Sequence, residues 1–463
     1  MDKDIDIKKY IQQSATKRNL ILVTLLLGAF IASMGQNMLT SALSSIMTEF
    51  KISASLGQLL TTGYIMLLGI VSALSAFLIR KYSTKALFLC CMGMFLTGGI
   101  IAVIATNFPL LLLGRAIQAC GAGVLVPLVQ TIALYLFPKE KHGQAMGIVM
   151  LVIGFAPALG PVVSGILVDL WGWRSLFILM IAVAIVSVVL AVINLKDFSD
   201  GEIGSLDWIS TALYGLGFCG FMLGITSMKE AGVLAFQTIL LLGGGILFLI
   251  VFIKRQLKLE LPMMELRLFG NQEFRISAIL IGITYMATMS GSTIVPLYIQ
   301  TARGETATVS GLVVLPGMLI SILLSPVAGN WFDRFGARRV TLFGLISLLL
   351  GNSGLLFCSD SCSLWLVTFW YLVRMFGTIM LLTPLSAYSV STLKKEQIPQ
   401  STAIVTSFRQ MVASLATSIL VVIISAISSP MTVTSYGVQV SFAIQSVIYL
   451  AMVLLVFRYI KND

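Results

Sequence analysis

Fourteen runs of apolar residues follow one another along this 463-residue chain, beginning near Asn19, Ser55, Ala86, Phe108, Gln144, Ser175, Trp208, Leu234, Ile276, Val309, Val340, Leu364, Thr402 and Val438. Each is close to the roughly 20 residues that carry a helix across the hydrocarbon core of a bilayer. Such long runs, joined by short loops, exclude the alternating strands of a membrane barrel. Only 11% of the residues are charged, against about a quarter in a soluble domain. The expected fold class is therefore an all-α membrane protein.

Charge placement gives the expected orientation. The leading stretch MDKDIDIKKYIQQSATKRN is polar and shows no cleavage site, so it reads as a cytoplasmic leader rather than a signal peptide. With that end inside, only Lys51, Arg174, Lys229 and Arg303 of the 30 Lys and Arg fall on the outer side, while Arg115, Arg374 and Arg409 lie within spans. Both termini are expected in the cytoplasm of a cell whose plasma membrane the chain crosses. The net charge of +11 is a topology signal and does not point to nucleic acid. Cys90, Cys91, Cys120 and Cys219 sit in spans as small apolar residues. Cys358 and Cys362 stand near enough in CSDSC to bridge, although nothing else resembles a disulfide framework.

Features of the early spans recur eight spans later. The loop AFLIRKYSTKA after span 2 is echoed by GNWFDRFGARRV after span 10, and LGRAIQACGAGVLVP in span 4 by LVRMFGTIMLLTP in span 12. Weak internal symmetry of this kind marks transporter repeats. The simplest organisation is a leader (1–18), a six-helix half (19–195), two inserted helices (196–253), a cytoplasmic linker (254–275) and a second six-helix half (276–463).

The motifs resemble those of a known family. LLGRAIQACGAG, with Arg115, Gln118, Gly121 and Gly123, resembles motif B of the major facilitator superfamily. GFAPALGPVVSG resembles its motif C, the antiporter signature of span 5. GNWFDRFGARR, with Gly329, Asp333, Arg334, Gly336 and Arg338, resembles motif A. The inserted pair, together with TTGYIMLLGI, PMMELRLF and SFRQMVASLATS, is similar to the fourteen-span drug:proton antiporters. The resemblance covers essentially the whole chain. It implies the major facilitator fold with 14 transmembrane helices (6 + 2 + 6) and export of lipophilic small molecules by alternating access with proton coupling.

The residues of motif C have a physical reading of their own. Gly154, Ala158, Pro161 and Gly165 recur every three to four positions and share one helix face. Small residues let helices approach closely in lipid, and Pro157 and Gly160-Pro161 introduce breakers whose freed backbone groups need partners. A lone small-residue stripe does no more than pack helices. In the family this one is a gate hinge. Arg115 is costly inside a membrane and so is a functional candidate with an expected partner; the family's arginine at this place borders the cavity and takes part in proton coupling. Arg374 and Arg409 sit equally deep, with the alternative that each simply bonds helix carbonyls.

The departures bear on mechanism. Where these antiporters carry a carboxylate in span 1, this chain has Gly35 and Gln36. Motif A in the first half has Arg80 for aspartate and Ala76 for glycine. The expected cavity is therefore free of central carboxylates and biased positive, lined by Gln36, Asn37, Thr40, Gln58, Tyr64, Arg115, Gln118, Gln130, Tyr285 and Arg374, and suited to neutral or anionic amphipaths. Coupling stays open between proton antiport through Arg115 with Glu49, Asp169 or Asp333, and facilitated release without protons. No nucleotide loop, metal cluster or nucleophile–base pair is visible, so no metal or cofactor is expected. A membrane-embedded enzyme or receptor is disfavoured on the same ground. The expected partners are lipophilic substrates, protons and the lipid bilayer around a monomer.

Overall fold

The computed structural model describes residues 15–36, 38–39, 42–52, 54–195, 207–230, 232, 234–260, 262–305, 307–358, 362–427 and 435–460. No strand occurs among them. Helix α1 (Ala15–Met34) stops early, with turns at Gly35–Gln36 and Met38–Leu39 beyond it, and the short α2 spans Leu43–Phe50. Then come α3 (Ala54–Lys81), α4 (Thr84–Val103), α5 (Phe108–Leu136), α6 (His142–Trp171) and α7 (Arg174–Asn194). A hairpin of α8 (Trp208–Glu230) and α9 (Phe236–Lys258) separates these from α10 (Gln272–Leu297), α11 (Ala307–Phe335), α12 (Ala337–Leu356), α13 (Leu364–Ser391), α14 (Ile398–Ile427) and α15 (Ser435–Tyr459).

Among the described residues, twelve helices are long and apolar enough to cross a membrane, not the fourteen counted from sequence. The two long helices outside that number are α6 and α14, each of 30 residues. Several of their side chains, those of Pro157, Pro161 and Asp169 included, lie outside the described ones.

Local chemistry sets the ends of these helices. Ser83, Asn107 and Asn271 each accept a backbone N–H from the first turn of α4, α5 and α10, satisfying one of the orphan donors of a helix N-terminus. The chain turns tightly between α11 and α12 at Gly336, whose φ of +78° suits a residue without Cβ.

Helices α1 and α3 to α7 share one core cluster and form a first bundle. Helices α10 to α15 form a second around two further clusters. Each bundle is drawn tight by glycines. Gly98 faces Gly114, and Gly121 meets the Cys91 carbonyl, between α4 and α5; Gly344 faces Gly377 in the matching pair α12 and α13. With no hydrophobic drive between helices in lipid, such close contacts hold the helices together. The outer faces are apolar, with Trp208, Leu234, Phe236 and Trp365 all more than 70% exposed, as lipid contact requires.

The bundles meet along two seams, α6 against α11 and α3 against α14, and α8 packs on both α3 and α14. At one end, here the Asp333 end, the seams are zipped. The Gly143 and Gly329 backbones touch, with no room for a Cβ on either. Hydrogen bonds Ser72–Ser407 (2.9 Å), Thr131–Thr402 (2.9 Å) and Ser325 to the Gly147 carbonyl (2.7 Å) cross between bundles. At the opposite, Trp173 end the polar contacts are of another kind. There Glu49 of α2 accepts the Trp173 indole N–H (2.7 Å) and pairs with Arg174 (2.8 Å), all within the first bundle. The Trp173 donor, reinforced by Arg174, holds the Glu49 carboxyl below its ordinary range. No disulfide joins Cys358 and Cys362, and the Cys358 Sγ contacts the Gly354 carbonyl (3.3 Å).

Candidate functional site

A cavity of about 150 Å³ lies beside the mid-depth of α6. Its wall comes from both bundles: Met150, Ile153 and Gly154 from α6, and residues of α10, α11, α13 and α14 from the second. Four methionines, Met150, Met289, Met318 and Met375, make the wall apolar and adaptable. Thr288, Ser292, Ser321 and Thr378 add hydroxyls. A smaller pocket joins Ser33, Gln36 and Gly123 of the first bundle to Thr406, Arg409 and Gln410 of α14. Tyr285 and Arg409 line both.

Arg409 is the cation of this site. It is 5% exposed, its guanidinium lies over the Tyr285 ring at 5.0 Å, and its Nε has no hydrogen-bond partner. Buried polar atoms are nearly always satisfied, so a donor without a protein partner on a cavity wall is free to bond a molecule that enters. Tyr371 Oη and Ser33 Oγ, lining the larger and the smaller pocket, are orphaned in the same way. No described lining residue is Asp, Glu or His.

The other two arginines face elsewhere. Arg115 donates to the Gly35 carbonyl (2.8 Å), the Leu60 carbonyl (3.4 Å) and Gln118 Oε1 (3.1 Å), with its guanidinium 4.0 Å from the Tyr64 ring centre. Tyr64 in turn donates to the Ala32 carbonyl (2.9 Å). The carbonyls of Ala32 and Gly35 belong to the end of α1, so the expected partner of Arg115 is a helix terminus and not a carboxylate. Arg374 donates to the Ala287 carbonyl, Ser290, Gln445 and Asn352 Oδ1. It lies behind the cavity wall, fully buried, and Gly291 leaves it room. Neither Arg115 nor Arg374 lines either pocket, so the positive bias read from sequence rests on Arg409.

Of the remaining residues expected at the cavity, the structure brings Gln36 and Tyr285 together there. Gln118 is spent on Arg115. Gln130 accepts from Thr406 (3.4 Å) across the bundles. Asn37, Thr40 and the side chain of Gln58 lie outside the described residues. Arg409 sits two turns along from Thr402 and one from Thr406, on a shared helical face. In the sequence alone that spacing groups the three residues without saying which way their face points.

The motif residues divide between the two ends. Gly154 is exposed to the cavity, with nothing within 4 Å of where a Cβ would stand, while Gly160 is buried. Helix α6 runs through Pro157, Gly160, Pro161 and Gly165 without interruption. At the other end, Asp333 accepts the backbone N–H groups of Gly143 and Gln144, both at 2.9 Å, from the first turn of α6. A carboxylate at a helix N-terminus is favoured by both the free donors and the dipole. Arg334 is exposed, and Arg338 reaches the Phe457 carbonyl (3.4 Å) on α15 and not the carboxylate. Glu49 lies at the Trp173 end, and the Asp169 side chain is outside the described ones, so the three acids considered for coupling do not share one site.

Comparison with known proteins places this geometry. The Major Facilitator Superfamily profile matches residues 25–417. The MFS-type transporter YcnB of Bacillus subtilis is 36% identical over 457 residues, 97% of either chain. The lincomycin resistance protein LmrB of the same organism is 31% identical over 410 residues, 88% of this chain and 85% of its own. The proton:xylose symporter XylE superposes with a TM-score of 0.66 at 14% identity, covering 97% of each chain; at that identity the likeness concerns the fold alone.

Proposed function

Because the chain belongs to the Major Facilitator Superfamily, we propose that it is a secondary exporter, moving amphipathic, lipophilic small molecules out of the cell by alternating access with proton coupling. One observation carries this reading. The bundles are zipped at the Asp333 end, and the methionine-lined cavity lies beyond the zipped contacts, beside the free face of Gly154. A carrier caught with one end shut has this form. The relatives named for lincomycin resistance support efflux of a drug-like compound.

In this proposal α6 and α14 are spans like the other twelve, giving six helices, an inserted pair and six more, as in the fourteen-span drug:proton antiporters. The Asp333 end faces the cytoplasm, as the lysines and arginines require, and the carrier works as a monomer in the plasma membrane. Gly154, Gly160 and Gly165 are the surface against which the Trp173 end closes in the opposite state. Asp333 is the latch that must open once per cycle. The test is substrate-driven proton movement in proteoliposomes across a library of lipophilic compounds. Absence of both substrate flux and proton movement overturns the reading.

A second reading rests on the cavity chemistry. With no described lining residue that titrates near neutral pH and Gly35 and Gln36 in place of an acid, the chain would release an anionic or lipid-like metabolite without proton antiport. Export that persists unchanged when the pH gradient is collapsed selects this reading.

A further inference from the structure

We infer that Arg409 is the specificity-determining residue of the cavity, an anchor for the anionic head of a single-tailed amphipath whose apolar part lies along the methionine wall. This rests on the exporter reading above and names the substrate class of that same site.

The inference stands on three observations. First, among the described residues lining either pocket Arg409 is the charged one, and none of them is acidic. Arg115 is held by three hydrogen bonds and an aromatic face, and Arg374 by bonds to four residues behind the wall with only its Nη1 orphaned, whereas Arg409 lines the cavity itself with an orphan Nε over the Tyr285 ring. Second, a further residue with an orphan donor lines the same cavity. Tyr371, whose fully buried Oη has no partner, lies on the α13 wall. A carboxylate, sulfonate or phosphate accepts charge-assisted bonds from arginine, which are the strong ones. Third, the rest of the wall is mostly apolar, with Met150, Met289, Met318 and Met375 able to repack around tails of different shape. A neutral ligand would leave the buried guanidinium without a counter-charge. A cation would add like charge in a low dielectric.

The position of Arg409 also suits a carrier. The residue lies about 17 Å along α14 from its start, at 1.5 Å per residue. It is one turn beyond Thr406, whose bond to Gln130 joins the bundles. An anion held there sits where the bundles part.

The test uses the purified full-length protein in lipid nanodiscs, with protein-free discs as blank. Two fluorescent probes share a tail and differ in the head: dansylaminoundecanoic acid and its methyl ester. The wild type is expected to bind the acid at least about ten-fold more tightly than the ester, the discrimination one charge-assisted bond to a buried group supplies. Arg409→Gln is expected to bring the two probes to parity by weakening the acid alone, and Arg409→Lys to keep part of the preference. Tyr371→Phe should lower acid affinity by a smaller factor. Equal binding of acid and ester by the wild type overturns the proposal, and that readout needs no variant to fold. A preference unchanged in Arg409→Gln overturns it too. If the wild type, reconstituted in sealed liposomes, exports both probes equally, the anion anchor falls and the exporter reading stands. If it neither binds nor exports either, both fall.

Discussion

The two seams between the bundles are related by the internal repeat, yet they are fastened by different chemistry. Along α6 and α11 the backbones touch at Gly143 and Gly329, and Asp333 ties the two helices through paired N–H groups. Along α3 and α14 the equivalent of Asp333 is Arg80, and the described fastenings are neutral: Ser72 bonds Ser407, and Phe218 of α8 fills the space over Gly69. Beyond this seam the α8–α9 hairpin is closed by Asp207, which pairs with Arg255 (2.9 Å) and Ser210. These bonds, Arg255 first, push the Asp207 carboxyl down to about 2. One seam is latched by charge, the other braced from outside by an added helix pair. A motion that opens the Asp333 end has to break the Asp333 contact at the α6 seam.

The largest test of this asymmetry is Gly329→Leu. A side chain there meets the Gly143 backbone, so the Asp333 end cannot shut. Export is expected to fall to background while the protein still inserts, and cysteine accessibility from the Asp333 side should rise. Normal transport would show that the seam tolerates separation. Gly160→Leu or Pro161→Leu should be almost as severe at the opposite end of α6. A bulky residue in the small-residue stripe blocks close approach there, and unchanged efflux with correct insertion would dismiss the stripe as a gate.

Asp333→Asn is a smaller step, since the amide oxygen still accepts one N–H. Losing the charge at a helix N-terminus and one bond removes about 1–2 kcal/mol from the shut state. Turnover is expected to fall about ten-fold with substrate affinity little changed, as the kcat and KM of efflux would show. Smallest of all should be Ser72→Ala combined with Ser407→Ala. Neutral interhelical bonds in membranes average about 0.6 kcal/mol, so a change in rate of about three-fold or less is expected. A double variant as impaired as Asp333→Asn would mean that the braced seam carries as much of the closure as the latched one.

Much of this was legible in the sequence, for identifiable reasons. Long apolar runs leave no choice but helices, and the glycines of LGRAIQACGAG mark the close packing of α5 that the structure shows. The resemblance of GNWFDRFGARR to motif A pointed to Asp333, but its bonds to the first turn of α6, rather than to Arg334 or Arg338, were not written there. What could not be read was rotation. In water, an amphipathic pattern says which face of a helix is inside. In lipid both faces are apolar, so Arg374 and Arg409 look alike in sequence although one lies behind the cavity wall and the other lines it. The break after Met34 was also hidden. Gly35 is compatible with either a continuous or an interrupted span, and the interruption became visible only when Arg115 and Tyr64 were seen to hold its carbonyls.

That interruption decides what kind of counter-charge the first bundle uses. A helix terminus carries about half a unit of charge, and α1 ends with its negative pole turned towards a guanidinium. The aligned peptide dipoles serve Arg115 as an acid would, with one distinction: a dipole cannot be protonated. Acidifying one side of the membrane leaves this pairing as strong as before, and swapping water for deuterium oxide would not slow its making or breaking through a proton transfer. Any proton that travels through this carrier has to be received at another station.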